Sequence, residues 1–180
     1  MTRLIRQLLD FARPRVPHVA PYPVFELANK TAEMLAPLAT RRNVRLLAKD
    51  LAPGTTAVVD ADQLQQVLIN LVANAIQAME RPGTVELSVT TAHAKPPADH
   101  GGPDQEYVCI DVRDEGSGIT EEHLPHLFEP FFTTKDVGSG TGLGLAVTYG
   151  IVRDNGGWIV VETELGKGST FRVFLREGGD

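Results

Sequence analysis

Residues 62–79 read DQLQQVLINLVANAIQAM. At about 100° per residue, Leu64, Val67, Leu68, Leu71, Ala75, Ile76 and Met79 cover one broad face, so the segment Asp62–Met79 is expected to be a long amphipathic helix. Pro82-Gly83 ends it. Gln63, Gln66, Asn70, Asn74 and Gln77 gather on the opposite side, on an arc of roughly 80°. That stripe is entirely amide. A solvated face more often carries Lys, Glu or Arg, which favour helix and solubility where Asn does not. Two readings fit it: an ordinary polar surface, or a helix lining a polar cavity whose carbonyl oxygens help hold a hard cation such as Mg²⁺.

Working outward, Phe25–Arg42 has the periodicity of a second amphipathic helix, with a kink expected at Pro37. Val44–Lys49 and Thr56–Asp60 read as short strands around Pro53-Gly54, and Thr84–Thr91 and Tyr107–Arg113 as longer ones joined by the polar loop Lys95–Gln105. A short helix near Glu121–Leu127 leads into an irregular stretch, Glu129–Thr141. A helix over Leu143–Asp154 and strands over Trp158–Glu162 and Thr170–Leu175 complete the pattern. Helices alternating with mostly hairpin-joined strands predict an α/β two-layer sandwich. At the other end, Leu4, Ile5, Leu8, Leu9 and Phe11 place a short helix over residues 2–12. Pro14, Pro17, Pro21 and Pro23 then impose an extended linker over 14–23, read as a domain boundary.

Composition narrows the function classes. The 180 residues carry 17 basic and 23 acidic side chains, a net charge of −6, with 42% apolar residues. No apolar run approaches the ~18 residues of a membrane span, and the start lacks the features of a secretory signal. Cys109 is the single cysteine, which excludes a disulfide framework and a thiolate metal cluster. Net acidity and 6% aromatic residues argue against nucleic-acid binding. A reducing, cytoplasmic setting is expected. The charge is uneven: residues 1–60 hold nine basic and five acidic residues, so the remainder carries the acidic excess. Eleven of the 17 glycines fall between Gly116 and Gly168, so the second half needs unusual backbone freedom.

Two glycine loops hold six of these eleven. In Asp111–Ile119 (DVRDEGSGI), a strand ends at Asp114 and turns through Gly116 and Gly118. That places a carboxylate where backbone can approach a ligand closely, and such an acid accepts hydrogen bonds from an exocyclic amine, choosing adenine over guanine. In Gly138–Leu145 (GSGTGLGL), glycines open a helix whose unpaired N–H groups suit an anion site, although either glycine loop taken alone reads equally well as a simple turn. Gly166-Lys167 is followed by Gly168 rather than Ser or Thr, which rules out a P-loop. Gly138-x-Gly140 meets Leu143 where a dinucleotide fingerprint needs glycine.

Taken in order, Asn70–Ala75 (NLVANA), Asp114–Gly118 (DEGSG), Leu127–Phe132 (LFEPFF), Gly140–Gly144 (GTGLG) and Gly166–Gly168 (GKG) resemble the N, G1, F, G2 and G3 boxes of sensor histidine kinases, a branch of the Bergerat-fold ATPases. The resemblance spans roughly residues 25–176 and implies a mixed, mostly antiparallel sheet with helices on one face. Leu4–Pro14 similarly resembles the end of the second helix of a dimerisation and phosphoacceptor domain. The implied organisation is therefore 1–13 from that domain, the linker 14–23, and an ATP-binding catalytic domain over 24–180.

The resemblance implies the following roles. Asn74 coordinates Mg²⁺, and Asn70, one turn earlier, faces the phosphates. Asp114 takes the adenine amino group, with Gly116 and Gly118 letting the base sit close. Gly140, Thr141, Gly142, Leu143 and Gly144 form the lid hinge and offer backbone amides to the phosphates. Lys135 neutralises γ-phosphate charge or is simply a solvated lysine, and Thr170 lines the base pocket. Phe128, Phe131 and Phe132 are either ligand contacts or anchors beneath the lid.

Two departures sharpen this reading. Where many relatives carry a basic residue after the metal-binding Asn, this chain has Gln77, leaving neutralisation to Mg²⁺, the helix start near Gly142, and Lys135 or Arg81. Hydrolysing relatives place a Glu one turn before that Asn to activate water; here it is Asn70, and an amide is no general base. None of His18, His93, His100, His123 and His126 fits the phosphoacceptor pattern, so the chain is expected to be part of a longer protein. The expected function is to position Mg-ATP for γ-phosphoryl transfer to a histidine on a separate dimerisation domain, of the same or a sister chain. A response-regulator receiver domain then takes the phosphate, and the full-length protein is expected to be a homodimer. This segment itself is expected to touch no membrane, although the parent protein has the option of an anchor. The alternatives are a serine-directed kinase or weak ATPase of the same fold, and a non-catalytic nucleotide-sensing module.

Overall fold

The computed structural model describes residues 18–134 and 141–179. The expected helix over 2–12, most of the linker, and the candidates Lys135 and Gly140 lie outside the described residues. The elements run β1 (Ala20–Pro23), α1 (Val24–Arg41), β2 (Val44–Asp50), β3 (Thr56–Val59), α2 (Ala61–Ala78), β4 (Gly83–Ala94), β5 (Gln105–Asp114), α3 (Gly144–Asp154), β6 (Trp158–Glu164) and β7 (Gly168–Arg176). A single helical turn, Leu124–His126, stands where a short helix was expected.

A five-stranded sheet is ordered β2-β4-β5-β7-β6, with β2 and β4 parallel and the other pairs antiparallel. β1 pairs antiparallel with β3 in a separate two-stranded sheet. This corrects one expectation: residues 20–23 are not linker but a paired strand. Pro21 and Pro23 are tolerated because they sit two apart, so their missing N–H groups fall on the same, unpaired edge. Tyr22 and Ala20 alternate with them toward β3.

The predicted apolar face of α2 is the centre of the core. Leu64, Val67, Leu68, Leu71, Val72, Ala75 and Ile76 are buried with Val85, Leu87 and Val89 of β4, Val108, Ile110 and Val112 of β5, and Val173 and Leu175 of β7. Each fully buried side chain of this size stabilises the fold by about 1.5–3 kcal/mol. α2 begins at Asp60, whose side chain accepts the Gln63 N–H. α1 continues through Pro37 and packs on α2, adding Val24, Leu27 and Ala28 to the core.

The opposite face of the sheet carries a smaller cluster of Tyr107, Cys109, Trp158 and Phe174. Trp158 stacks on Phe174 with centroids 4.5 Å apart and meets the Tyr107 ring edge-on at 4.6 Å. The β4–β5 loop folds back here: the Tyr107 hydroxyl donates to the Pro103 carbonyl, and the His100 ring lies 5.5 Å from Trp158. Cys109 is buried, its pKa pushed up to about 11 chiefly by burial, which keeps it a thiol. Farther along the same face, Arg172 grips Asp111 through two hydrogen bonds of 2.7 and 2.8 Å.

Candidate ATP site

Asp114 is the last residue of β5, and its parity with Val112 and Ile110 turns the side chain to the helix-covered face. It is 4% exposed. Burial raises its pKa above the usual carboxylate value, opposed by backbone hydrogen bonds from Gly116 and Ser169. Both N–H groups reach Oδ1, at 2.9 and 3.3 Å. The carboxylate is thus oriented by the protein through one oxygen.

The loop after Asp114 is pinned on two sides. Ser117 N–H donates to the Ala78 carbonyl, one of the free carbonyls at the end of α2. On the other side, Gly166 N–H donates to the Ser117 carbonyl at 2.7 Å and Ile119 N–H to Thr163 Oγ1 at 2.9 Å. Gly118 sits at φ +70°, and a Cβ there would lie 2.3 Å from the Glu164 carbonyl oxygen. Close approach to another segment of this chain is therefore the requirement that fixes glycine at this position.

Ser169 and Thr163 join this support, their hydroxyls 2.9 Å apart. Neither was singled out from sequence; Thr170 was. Thr170 pairs with Arg113 and Glu162, and strand alternation puts all three on the face opposite Asp114. The base-pocket role assigned to Thr170 is therefore corrected, and the residue on the Asp114 side is Ser169. Alternation from the core residues Phe171 and Val173 was the available signal.

α2 supplies the amides. Asn70 and Asn74 are half-buried, one turn apart. Asn70 Nδ2 donates to the Gly144 carbonyl at 3.2 Å and approaches Thr148 Oγ1 at 3.4 Å, so the start of α3 is held against α2 at that turn. One turn beyond Asn74 in the other direction, the Ala78 carbonyl holds the Asp114 loop. Asn74 thus sits midway, about 6 Å along the axis from each of these two attachment points.

At the start of α3, Leu143 is buried and its N–H points to Thr141 Oγ1 at 3.4 Å. Leu143 therefore serves as an apolar anchor for the loop, with its backbone at the helix start. Gly142, at φ +64°, accepts the Phe131 N–H at 2.9 Å, and a Cβ there would lie 2.4 Å from the Phe131 carbonyl carbon. The Phe residues act mainly as anchors: Phe128 lies 5.0 Å from the Tyr149 ring of α3, and Phe132 packs beside His123 and His126. Phe131 is 63% exposed. His126 also pairs with Glu129, and among the described residues no cluster of three His, Cys, Asp or Glu could hold a metal ion.

An isolated buried acid at a strand end, an amide-bearing helix and a glycine-led helix start, tied together in this order, define a nucleotide-binding architecture. The model of the histidine kinase-, DNA gyrase B- and HSP90-like ATPases matches residues 59–179. The chain belongs to this ATPase family. Within it, the chain is 39% identical to sensor kinase CckA of Brucella abortus (strain 2308) over 96% of its length, spanning 18% of that protein. Full-length ShkA in complex with AMPPNP superposes with a TM-score of 0.81 at 27% identity, over 99% of this chain and 36% of that one. The catalytic domain of histidine kinase ThkA gives a TM-score of 0.71 at 27% identity, covering 88% of this chain and 95% of that domain. The fold of this ATPase is thus that of histidine kinase catalytic domains: a mixed, mostly antiparallel sheet with its helices on one face.

Proposed function

We propose that this segment holds Mg-ATP and presents its γ-phosphate to a histidine carried by a separate dimerisation domain. The observation that carries this reading is the position of Asn74 between two fixed points: the Asp114 loop one turn along α2 and the start of α3 one turn back. A nucleotide lying across α2 would place its exocyclic amine at Asp114 and its phosphates near the first N–H groups of α3. With Oδ1 oriented by Gly116 and Ser169, the other carboxylate oxygen of Asp114 is the natural acceptor for the adenine amine.

The donor chemistry fits Mg²⁺. Asn74 offers a hard amide oxygen, and a cation that keeps several waters and takes its remaining ligands from phosphates needs few protein groups. When bound, the ion would neutralise charge on the phosphates. This chain's own residues would supply the rest: orientation by Asp114, register by Asn70, and N–H groups of the α3 start aimed at phosphate oxygens. Asn70 cannot deprotonate water, which favours a protein acceptor over hydrolysis. We further propose that a response-regulator receiver domain receives the phosphate, that the full protein is a homodimer, and that this segment works in the cytoplasm, where ATP is available. No described helix is long and apolar enough to cross a membrane.

The test is reconstitution. The chain should bind Mg-ATP without labelling itself, and a separately produced histidine-bearing dimerisation domain should become phosphorylated when added. The label should be acid-labile, as phosphohistidine is; an acid-stable label would identify serine transfer instead. ATP binding without transfer to any such domain would leave only a nucleotide-sensing module.

A further inference from the structure

α3 runs antiparallel to α2 and is fastened to it at both ends by amide side chains. Asn70 holds its first turn through the Gly144 carbonyl. At its far end stands Asn155, 5% exposed, with both amide N–H donors and its carbonyl oxygen engaged. Its Oδ1 accepts the Asp60 N–H at 2.8 Å, and its Nδ2 donates to Gln63 Oε1 and to the Ile151 carbonyl, both at 2.9 Å. Asp60 in turn caps α2 by accepting the Gln63 N–H, and its second carboxylate oxygen accepts the His18 N–H at 2.8 Å. One buried amide therefore joins the last turn of α3 to the first turn of α2, and Asp60 extends the link to the chain just before β1.

The geometry has a mechanical meaning. Gln63 and Asn70 lie seven residues apart on the same stripe of α2, about 10 Å along its axis. Bonds at two such points forbid α3 to slide along α2. Asn70 alone, with the apolar packing of the buried Ala146 and Val152, would fix α3 only near its start, because apolar packing is non-directional. A slide of α3 would carry Gly144 and the preceding loop away from Asn74.

We propose that Asn155 is a positioning residue for phosphate recognition: it sets the register of α3 on α2 so that the α3 start faces Asn74. It acts through Gln63 and Asp60 and touches no nucleotide. The proposal rests on the reading of this site as an ATP site. It predicts a specific split, in which losing Asn155 weakens binding of the phosphates and leaves binding of the base intact.

The experiment compares Mg-ATP and adenosine binding by calorimetry in the full chain and in Asn155→Leu, Gln63→Leu and Gln63→Glu, with circular dichroism and thermal melting to monitor folding. Gln63→Glu keeps an acceptor oxygen for Asn155 and suits the first turn of a helix, so it should bind both ligands as the unaltered chain does. Asn155→Leu and Gln63→Leu should bind ATP about three- to tenfold more weakly, with adenosine affinity unchanged within about twofold. Equal losses for ATP and adenosine, or unchanged ATP binding in the folded Leu variants, would overturn the proposal. Should Asn155→Leu fail to fold, the Gln63→Leu and Gln63→Glu pair decides alone. Failure of the unaltered chain to bind Mg-ATP would instead overturn the underlying site assignment.

Discussion

The two glycine loops of the site are built differently. The Asp114 loop is held from both sides, by the end of α2 through Ser117 and by the β6–β7 hairpin through Gly166, Thr163 and Ser169. The loop leading into α3 is held, among the described residues, through Gly142 to Phe131 and through Gly144 to Asn70. The first is built into the sheet; the second depends on a helix and on the Phe segment. On the proposed reading, the base end of the site is therefore preorganised by the fold, and the phosphate end would take its position from helix register.

Substitutions can break that contrast one end at a time. The largest effect is expected from Asp114→Asn. The asparagine retains an acceptor for Gly116 and Ser169 but turns a donor toward the adenine amine, so ATP and adenosine affinity should both fall by on the order of 100-fold. Competition with a fluorescent nucleotide would measure it, and a loss confined to ATP would show that Asp114 does not read the base. Next comes Gly142→Ala. Its positive φ and the approach to Phe131 should cost on the order of 1–3 kcal/mol at the α3 entry, weakening ATP roughly tenfold while sparing adenosine. Asn70→Ala should do the same more mildly, about three- to fivefold, because only the side-chain bonds to Gly144 and Thr148 are removed and buried packing is left in place.

The smallest expected effect concerns pH. Burial raises the pKa of Asp114 in the folded protein, so between its unfolded and folded values the native state binds more protons than the unfolded state. Its ionisation therefore lowers stability as pH rises through that window, and the loss is complete above the folded pKa. Asp114→Asn should remove that slope, so the variant should melt no lower than the parent at neutral pH despite having lost its ligand. Thermal melts from pH 4 to pH 8 in the absence of nucleotide would check this; a variant that melts well below the parent at neutral pH would show the carboxylate to be stabilising.

What was legible in the sequence was local. The α2 periodicity located both the core face and the amide stripe, because helix geometry maps spacing directly onto direction. The place of Asp114 at the end of β5 was legible because the alternation of the strand stops there and glycines follow. β1 was missed because its prolines argue against strand, while the partner that accommodates them lies more than thirty residues away. The stripe itself divides, Gln63 and Asn70 bonding to the two ends of α3 and Asn74 lying between the fixed loops. Nothing in the local sequence distinguishes these, since the division depends on where α3 ends. Asn155 carried no signal at all, being one polar residue before a glycine pair.

Trp158 is the single tryptophan of the chain, 6% exposed and stacked on Phe174 across the sheet from Asp114. Its placement makes it a built-in optical reporter of a particular kind. Its emission should track loss of the β6–β7 pairing on denaturation, while nucleotide bound at the proposed site, on the other side of the sheet, should leave its surroundings unchanged. Folding and ligand binding can thus be followed in one sample through separate signals.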